Sequence, residues 1–255
     1  MRLDHYLVAT DMFSSRHKAQ IEIKAGSITV NGKTIVKPAH QLHPDDDVKI
    51  IDTFNPFVSK GGLKLKHALK VFNQRVERLT VCDIGSSTGG FTDVLLNHGA
   101  HHVHAIDVGF NQMVEPLKNH PQVSLQEGMN FLHTQTTDFP VIDLAVMDLS
   151  FTSSIPHISH AKTMFNCPII VLVKPQFESL KTPKSGVIKD KKLHLEILRD
   201  YENRLNTQNI HITAWTYSPI AGGSGNIEFF AFINDKPHQH DLKAIIDRAH
   251  QTISR

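Results

Sequence analysis

Four charged residues, Lys64, Asp148, Lys174 and Glu228, stand where side chains could handle a proton together. An amine can take a proton from a hydroxyl, and a carboxylate beside it can hold that amine in place. Asp148 follows the apolar run IDLAVM, Lys174 follows PIIVLV, Glu228 opens NIEFFAFIN and Lys64 lies in KGGLKLKHALKVF. Buried charges are costly unless paired, so four of them at one edge of a sheet point to a shared task. Singly, each has a structural reading: Asp148 as a cap, Lys174 as a surface ammonium before Pro175, Glu228 as a partner for either lysine.

A second chemistry lies in VCDIGSSTGGFTDVLL, residues 81–96, where an apolar run stops at a glycine-rich turn and resumes with helical spacing. Gly85, Gly89 and Gly90 permit close backbone approach, and Thr88 can cap a helix with Phe91, Val94 and Leu95 on one face. A helix start offers free N–H groups and partial positive charge, and Asp107, ending HVHAID, can accept both hydroxyls of a ribose. The spacing GxxxGG differs from the dinucleotide GxGxxG. With Asp83 in front it suits a cofactor without pyrophosphate, S-adenosylmethionine rather than NAD.

These residues need a scaffold, and the chain supplies an α/β one. From Leu79 the segments LTVCDIG, HVHAIDVG, VSLQEG, IDLAVMDLSF, CPIIVLVKP, HITAWTYSPI and NIEFFAFIN read as seven strands of a doubly wound sheet. AGGSG is too short for a parallel crossover, so the last strand should run antiparallel, and residues 241–254 should form a closing helix. Ligands in such sheets bind at the carboxyl ends of the strands. Residues 1–53 read as a separate small α+β module: two helices, the second capped by Ser14 or Ser15 and closed by Gly26, then a hairpin turning at Asn31-Gly32 and one more strand. Residues 54–60 read as a linker before a domain over 61–255, with Gly61 and Gly62 preceding its first helix.

Composition narrows the function. No apolar run approaches the roughly 18 residues of a membrane helix, and the start MRLDHYLVAT is no secretory signal, which places the protein in the cytoplasm. Cys82 and Cys167 read as core residues, the eighteen histidines as mostly surface ones, and no metal site is expected. Residues 54–80 carry six basic side chains against one acidic, a band beside the glycine turn that would attract a polyanion. Residues 181–192 hold five lysines against one aspartate and read as a basic loop over RNA or as a solvated loop.

RLDHYL, SSRHKAQIEIKAG, ITVNGK, KPAHQL and DDVKI together resemble the S4 RNA-binding domain. That resemblance implies Arg2, Ser15, Arg16, Lys18, Lys24 and Lys33 as RNA contacts, with Lys60 added from the junction. VSKGGLKL, DIGSSTGGFTDVLL, AIDVG, DLAVMDLSF, IIVLVKPQFE, GVIKD and SPIAGGSGNIEFF, in this order after such a module, resemble the hemolysin A (TlyA) family of ribosomal RNA 2′-O-methyltransferases, whose catalytic domain is FtsJ-like. The resemblance implies a Rossmann-like methyltransferase sheet, S-adenosylmethionine, and transfer to a ribose 2′-hydroxyl, of a cytidine, in ribosomal RNA or ribosomal subunits. It makes Lys64, Asp148, Lys174 and Glu228 the catalytic tetrad; a neighbouring lysine and partial desolvation make Lys174 the preferred general base, with Lys64 the alternative. It assigns Asp83, Gly85, Ser87, Thr88, Gly89 and Phe91 to the methionine part of the cofactor, Asp107 to its ribose, and Met129 and Asn130 to its adenine.

The family's linker often reads Arg-x-Trp-Val before Ser-Arg-Gly-Gly, whereas this chain has Asn55-Pro56-Phe57-Val58 before Ser59-Lys60-Gly61-Gly62. Two other classes compete with the enzyme: a non-catalytic RNA-binding or ribosome-assembly factor with a retained methyltransferase fold, and a membrane-lytic protein.

Overall fold

The computed structural model describes residues 1–10, 12–13, 16–24, 26–50, 57–179, 182–183, 185–223, 225–234 and 240–253, without the side chains of His17, Lys18, Ile21 and Lys24. The chain divides into two compact units, Met1–Pro56 and Phe57–Arg255.

The first unit runs α1 (Leu3–Ala9), α2 (Arg16–Lys24), β1 (Ile28–Val30), β2 (Lys33–Thr34) and β3 (Val48–Ile50), the strands ordered β2-β1-β3 and antiparallel. Gly26, at φ 77°, ends α2, with Ser27 N–H donating to the Glu22 carbonyl at 3.0 Å. Asn31 and Gly32, at φ 51° and 76°, make the tight hairpin turn whose backbone needs two positive φ angles. Ser14 and Ser15, expected to cap α2, lie outside the described residues. Leu3, Leu7, Ile23 and Ile28 close a small core.

The second unit runs α3 (Lys60–Val71), β4 (Thr80–Ile84), α4 (Gly90–Asn97), β5 (His102–Asp107), α5 (Glu115–Lys118), β6 (Val123–Glu127), β7 (Leu144–Met147), α6 (Ile155–Phe165), β8 (Ile169–Val173), α7 (Pro175–Glu178), α8 (Lys191–Asn206), β9 (Ile212–Tyr217), β10 (Phe229–Ile233) and α9 (Leu242–Ile253). Its sheet has the order β6-β5-β4-β7-β8-β10-β9, parallel except for β10, which is antiparallel to both β8 and β9. The central strands are continuous apolar runs because both faces are covered. Alternate residues sort between two cores. Val81, Leu144, Val146, Ile170 and Leu172 meet α3 and α4, while Cys82, Ala145, Met147, Ile169 and Val171 meet α6, α8 and α9. Cys82 and Cys167 are buried free thiols.

The first helix starts earlier than expected, with Gly61 and Gly62 inside its first turn. A Cβ on Gly62 would stand 2.5 Å from the Phe57 ring carbons, and one on Gly90 would overlap Ser59 Oγ. Here the glycines are needed for close packing rather than for an unusual backbone. Phe57, placed by sequence in the linker, is buried in this core, and the Lys66 ammonium lies 5.7 Å from its ring centroid.

Not every histidine is a surface residue. His194 on α8 is fully buried and its Nδ1 lies 3.0 Å from Nε2 of His250 on α9. Burial first, then His250, pushes the His194 imidazole down to about 4, while burial and Lys191 lower that of His250. A histidine with a depressed folded pKa is protonated more readily in the unfolded chain, so its contribution is complete above about 6.5 and lost as pH falls towards 4. Asp83, pushed up to about 7, works in the opposite sense, so the measurement is a difference. Wild type should lose on the order of 3 kcal/mol relative to His194→Gln between pH 7 and 4, by urea denaturation. Equal pH slopes would rule out the pair as the titrating element.

Candidate active site

The strand-to-helix turn after β4 is built by backbone conformations that side chains resist. Gly85, Ser87 and Gly89 have φ of 85°, 46° and 94°. Gly85 N–H donates to the Ile106 carbonyl at 2.8 Å, and a Cβ on Gly85 would lie 2.7 Å from the carbonyl oxygen of Asp148. Gly85 therefore lets the end of β4 approach the residue just past β7. Gly85→Ala should cost about 1–3 kcal/mol through strain and that clash, read as a lowered urea midpoint; an unchanged midpoint would mean the turn relaxes freely.

Thr88 does not cap α4. Gly89 takes that position in the left-handed conformation and Thr88 is exposed, because the turn needs positive φ at the cap and glycine meets it without cost. Phe91 points into the core against Phe230, with ring centroids 6.2 Å apart. Asp83 is fully buried below the turn, its Oδ2 accepting from Thr92 Oγ1 at 2.7 Å, which ties β4 to the first turn of α4.

Beside the turn, at the carboxyl ends of the strands, lies a cavity of about 360 Å³. Of the residues assigned to the cofactor, Gly85, Ser87, Asp107, Met129 and Asn130 line it, whereas Asp83, Thr88, Gly89 and Phe91 do not. Asp107 Oδ2 accepts from Ser87 N–H at 2.8 Å and Oδ1 from Gly109 N–H at 2.7 Å, so this carboxylate binds two loops together. The Asn130 side-chain oxygen accepts from Leu132 N–H at 3.0 Å.

The four charged residues resolve into two ion pairs. Lys64 Nζ lies 2.6 Å from Glu228 Oε2, both side chains nearly buried, and Lys174 Nζ lies 2.7 Å from Asp148 Oδ1 while donating to Ser150 Oγ at 2.7 Å. Asp148 and Ser150 line the cavity, so the Lys174 pair abuts it directly. Asp148 follows β7, Lys174 follows β8, and Glu228 enters from antiparallel β10, where Phe229 sits opposite Val173. Reversal of β10 is what brings its first residue to the carboxyl edge of the others.

Sequence reasoning missed several residues. Phe151 lines the cavity at φ 65° with 90% of its surface exposed, and His157 lines it from α6. Glu178, buried in the quoted run VKPQFE, accepts from Ser153 Oγ, Ser154 N–H and Ser154 Oγ at 2.6, 2.8 and 2.7 Å, fixing the segment after Ser150. The acidic end of that motif was the available signal.

Among the expected RNA contacts, Arg2 and Arg16 both converge on the fully buried Asp4, with Nε atoms 2.9 and 3.0 Å from its oxygens, and Gln20 Nε2 donates to it at 2.8 Å. Arg2 first, then Gln20 and Arg16, hold the Asp4 carboxyl well below the usual carboxylate range, against burial. Lys33 and Lys60 are exposed. Ser15 lies outside the described residues, as do the side chains of Lys18 and Lys24. In the expected basic loop, Lys191 and Lys192 instead open α8, where Asp190 accepts from Lys192 N–H at 2.7 Å and Lys191 Nζ pairs with Asp247 at 2.6 Å. Asp190 supplies the helix cap that ends the loop; Lys181 and Lys184 lie outside the described residues. Among the described residues no cluster of three or more His, Cys, Asp or Glu could hold a metal, and no helix is long and apolar enough to cross a membrane.

Residues 57–234 match the family model of FtsJ-like methyltransferases. The chain belongs to the FtsJ-like methyltransferase family. Residues 1–48 match the S4 domain, so this FtsJ-like chain carries an S4 module ahead of its methyltransferase unit. It is 37% identical to Hemolysin A of Brachyspira hyodysenteriae over 91% of this chain and 98% of that protein. It is 34% identical to the 16S/23S rRNA (cytidine-2′-O)-methyltransferase TlyA of Mycobacterium tuberculosis over 99% of this chain and 97% of that one. The solved structure of a candidate hemolysin from Streptococcus thermophilus superposes with a TM-score of 0.80 at 32% identity, covering 100% of this chain and 97% of that one. The match to the Mycobacterium tuberculosis relative and to the Streptococcus thermophilus structure thus spans both modules of this chain.

Proposed function

We propose that this chain transfers a methyl group from S-adenosylmethionine to a ribose 2′-hydroxyl, of a cytidine, in ribosomal RNA. The carrying observation is the Lys174–Asp148 pair, 2.7 Å apart, with Asp148 and Ser150 in the wall of the cavity at the carboxyl edge of the sheet. The nucleotide and the RNA come from what the Mycobacterium tuberculosis relative is named for.

The residues present fit the cofactor. A cavity of about 360 Å³ suits a small molecule. Asp107 Oδ2 accepts one backbone N–H and keeps a lone pair for a ribose hydroxyl, while Oδ1 accepts from Gly109 N–H and, at 3.4 Å, from Gln112 Nε2, the longer bond being the one a second hydroxyl would replace. Met129 and Phe131 offer apolar surface for a purine. When bound, S-adenosylmethionine supplies an electrophilic methyl group on sulfur. The chain's residues do the rest. Asp148 and Ser150 hold the Lys174 amine where it would take the proton of the 2′-hydroxyl. Lys64, held by Glu228, orients the nucleotide and is the alternative base. Asp83 and Thr92 keep the glycine turn against α4. Arg2, Arg16, Lys33 and Lys60, with Ser15, Lys18 and Lys24, contact RNA backbone, the first unit serving as an RNA-binding module over residues 1–53. Action on ribosomal subunits places the protein in the cytoplasm.

The test is methyl transfer from labelled cofactor to ribosomal subunits from cells lacking this protein, followed by mapping of 2′-O-methyl positions. Incorporation at a cytidine ribose is the expected result; label on a base, or none on either subunit, would defeat the proposal.

A further inference from the structure

We propose that the outer face of α3 is a docking strip for the RNA backbone, on which Lys66 and Lys70, with Lys60 ahead of them, hold phosphates of the strand whose ribose reaches the site. This rests on the reading of the chain as one that acts on RNA. The three lysines are exposed and fall within an arc of about 120° of the helix, while Gly62, Leu65, Ala68 and Leu69 bury the other side. None of the three is ion-paired among the described residues.

This face is costly to the free protein. A solvated helix face gains from acids one turn away from its lysines, but no Asp or Glu occurs from residue 53 to residue 76. Lys66 and Lys70 stand one turn apart and repel each other. Lys60 is in the first turn, where the helix dipole opposes a cation, and no acidic residue accompanies it there. On α4, packed against α3, the sole acid is Asp93, which accepts from Val58 N–H and from Asn97 Nδ2, each at 2.8 Å. A polyanion lying on the helix offsets each of these costs, because its phosphates stand where the missing carboxylates would.

The strip is also tied to the reaction site. Lys64 of the same helix reaches inward to Glu228, so one lysine pairs at the sheet edge while three face outward. The start of α3 is pressed on the start of α4: a Cβ on Gly90 would overlap Ser59 Oγ and lie 3.2 Å from the Gly62 nitrogen. Lys60 therefore stands beside the glycine turn, and Lys66 and Lys70 follow about 9 and 15 Å further along the axis. Lys66 is held in place, its ammonium 5.7 Å from the centroid of the buried Phe57 ring. A strand laid on this face is anchored by Lys60 at its reactive end and by Lys66 and Lys70 beyond it. Lysine binds phosphate as a point charge, so the strip grips the backbone and leaves the bases unread.

The experiment measures binding of the full chain to protein-free ribosomal RNA over a series of salt concentrations. Lys66→Gln with Lys70→Gln should lose about five- to eightfold in affinity per lysine at about 0.1 M salt, and the slope of log affinity against log salt should become shallower by about 0.7–0.9 per lysine. Lys66→Glu, which places an acid one turn before Lys70, should raise the urea midpoint while weakening RNA binding, opposite signs that a folding defect cannot produce. Lys243→Gln with Arg248→Gln removes the same charge from exposed positions of α9, on the other side of the sheet, and should leave the slope unchanged. Equal losses in the α3 and α9 variants would reduce the effect to net charge and overturn the inference, as would a wild-type slope in the α3 variant. Weakened binding to ribosomal subunits with wild-type binding to the bare RNA would make the strip a contact for ribosomal protein and overturn it too. Failure of wild type to bind any RNA overturns the RNA reading and this inference with it, and is distinguished by appearing in the unaltered chain.

Discussion

Lys174→Ala is expected to lower the rate of methyl transfer by about 10²–10⁴-fold, the usual contribution of a positioned general base, while leaving affinity for S-adenosylhomocysteine within a few-fold of wild type. The separation follows from geometry: the amine touches Asp148 and Ser150 at the cavity wall but does not itself line the cavity. Asp148→Asn should fall in the same direction, because it leaves the amine without its carboxylate. Single-turnover rates on ribosomal subunits make the measurement, since they report chemistry rather than product release. A Lys174→Ala enzyme with a wild-type single-turnover rate would transfer the role to Lys64.

Glu228→Ala is expected to destabilise the second unit by about 3–5 kcal/mol, because removing one member of a buried pair leaves an uncompensated charge. The Lys64 and Glu228 side chains are 11% and 4% exposed, and their atoms are 2.6 Å apart. Lys191–Asp247 is equally short, at 2.6 Å, but 49% and 55% exposed, and breaking it should cost about 0–1 kcal/mol. Distance alone does not rank the pairs; solvent does. The double variant Lys64→Met with Glu228→Leu should recover much of the stability while remaining inactive. Urea unfolding of the two singles and the double measures the coupling, and additive losses would mean the two residues do not stabilise each other.

The parallel strands were legible because apolar runs buried on both faces leave a continuous signature, and the reversal of the last strand followed from the length of one loop. Asp148, Lys174 and Glu228 were legible as charged residues at strand ends, and Lys64 as a lysine in the first turn of a helix. The division of the tetrad into Lys64 with Glu228 and Lys174 with Asp148 was not, because pairing depends on how residues 164 and 26 positions apart meet in space. Thr88 was misplaced because a local capping rule ignores the left-handed turn at Gly89, whereas helical spacing put Phe91, Val94 and Leu95 on the face that the core buries. Gly61 and Gly62 looked like a helix boundary, yet serve the approach of Phe57 and of α4. Asp4 carries no local signal for Arg2, Arg16 and Gln20, and Glu178 has only the acidic end of its motif to mark it.

Strand β10 lies between β8 and β9, so the last strand to be synthesised is not the last in the sheet. A chain leaving the ribosome in order makes β9 before its sole sheet neighbour exists, and Lys64 waits 164 residues for its partner. The half of the sheet from β6 to β8 can assemble early, but the edge that holds the amines closes only when the end of the chain inserts. A chain that stops between residues 98 and 227 therefore has the glycine turn but not the carboxylate that pairs with Lys64, and that pair forms only once the residue ahead of β10 is in place.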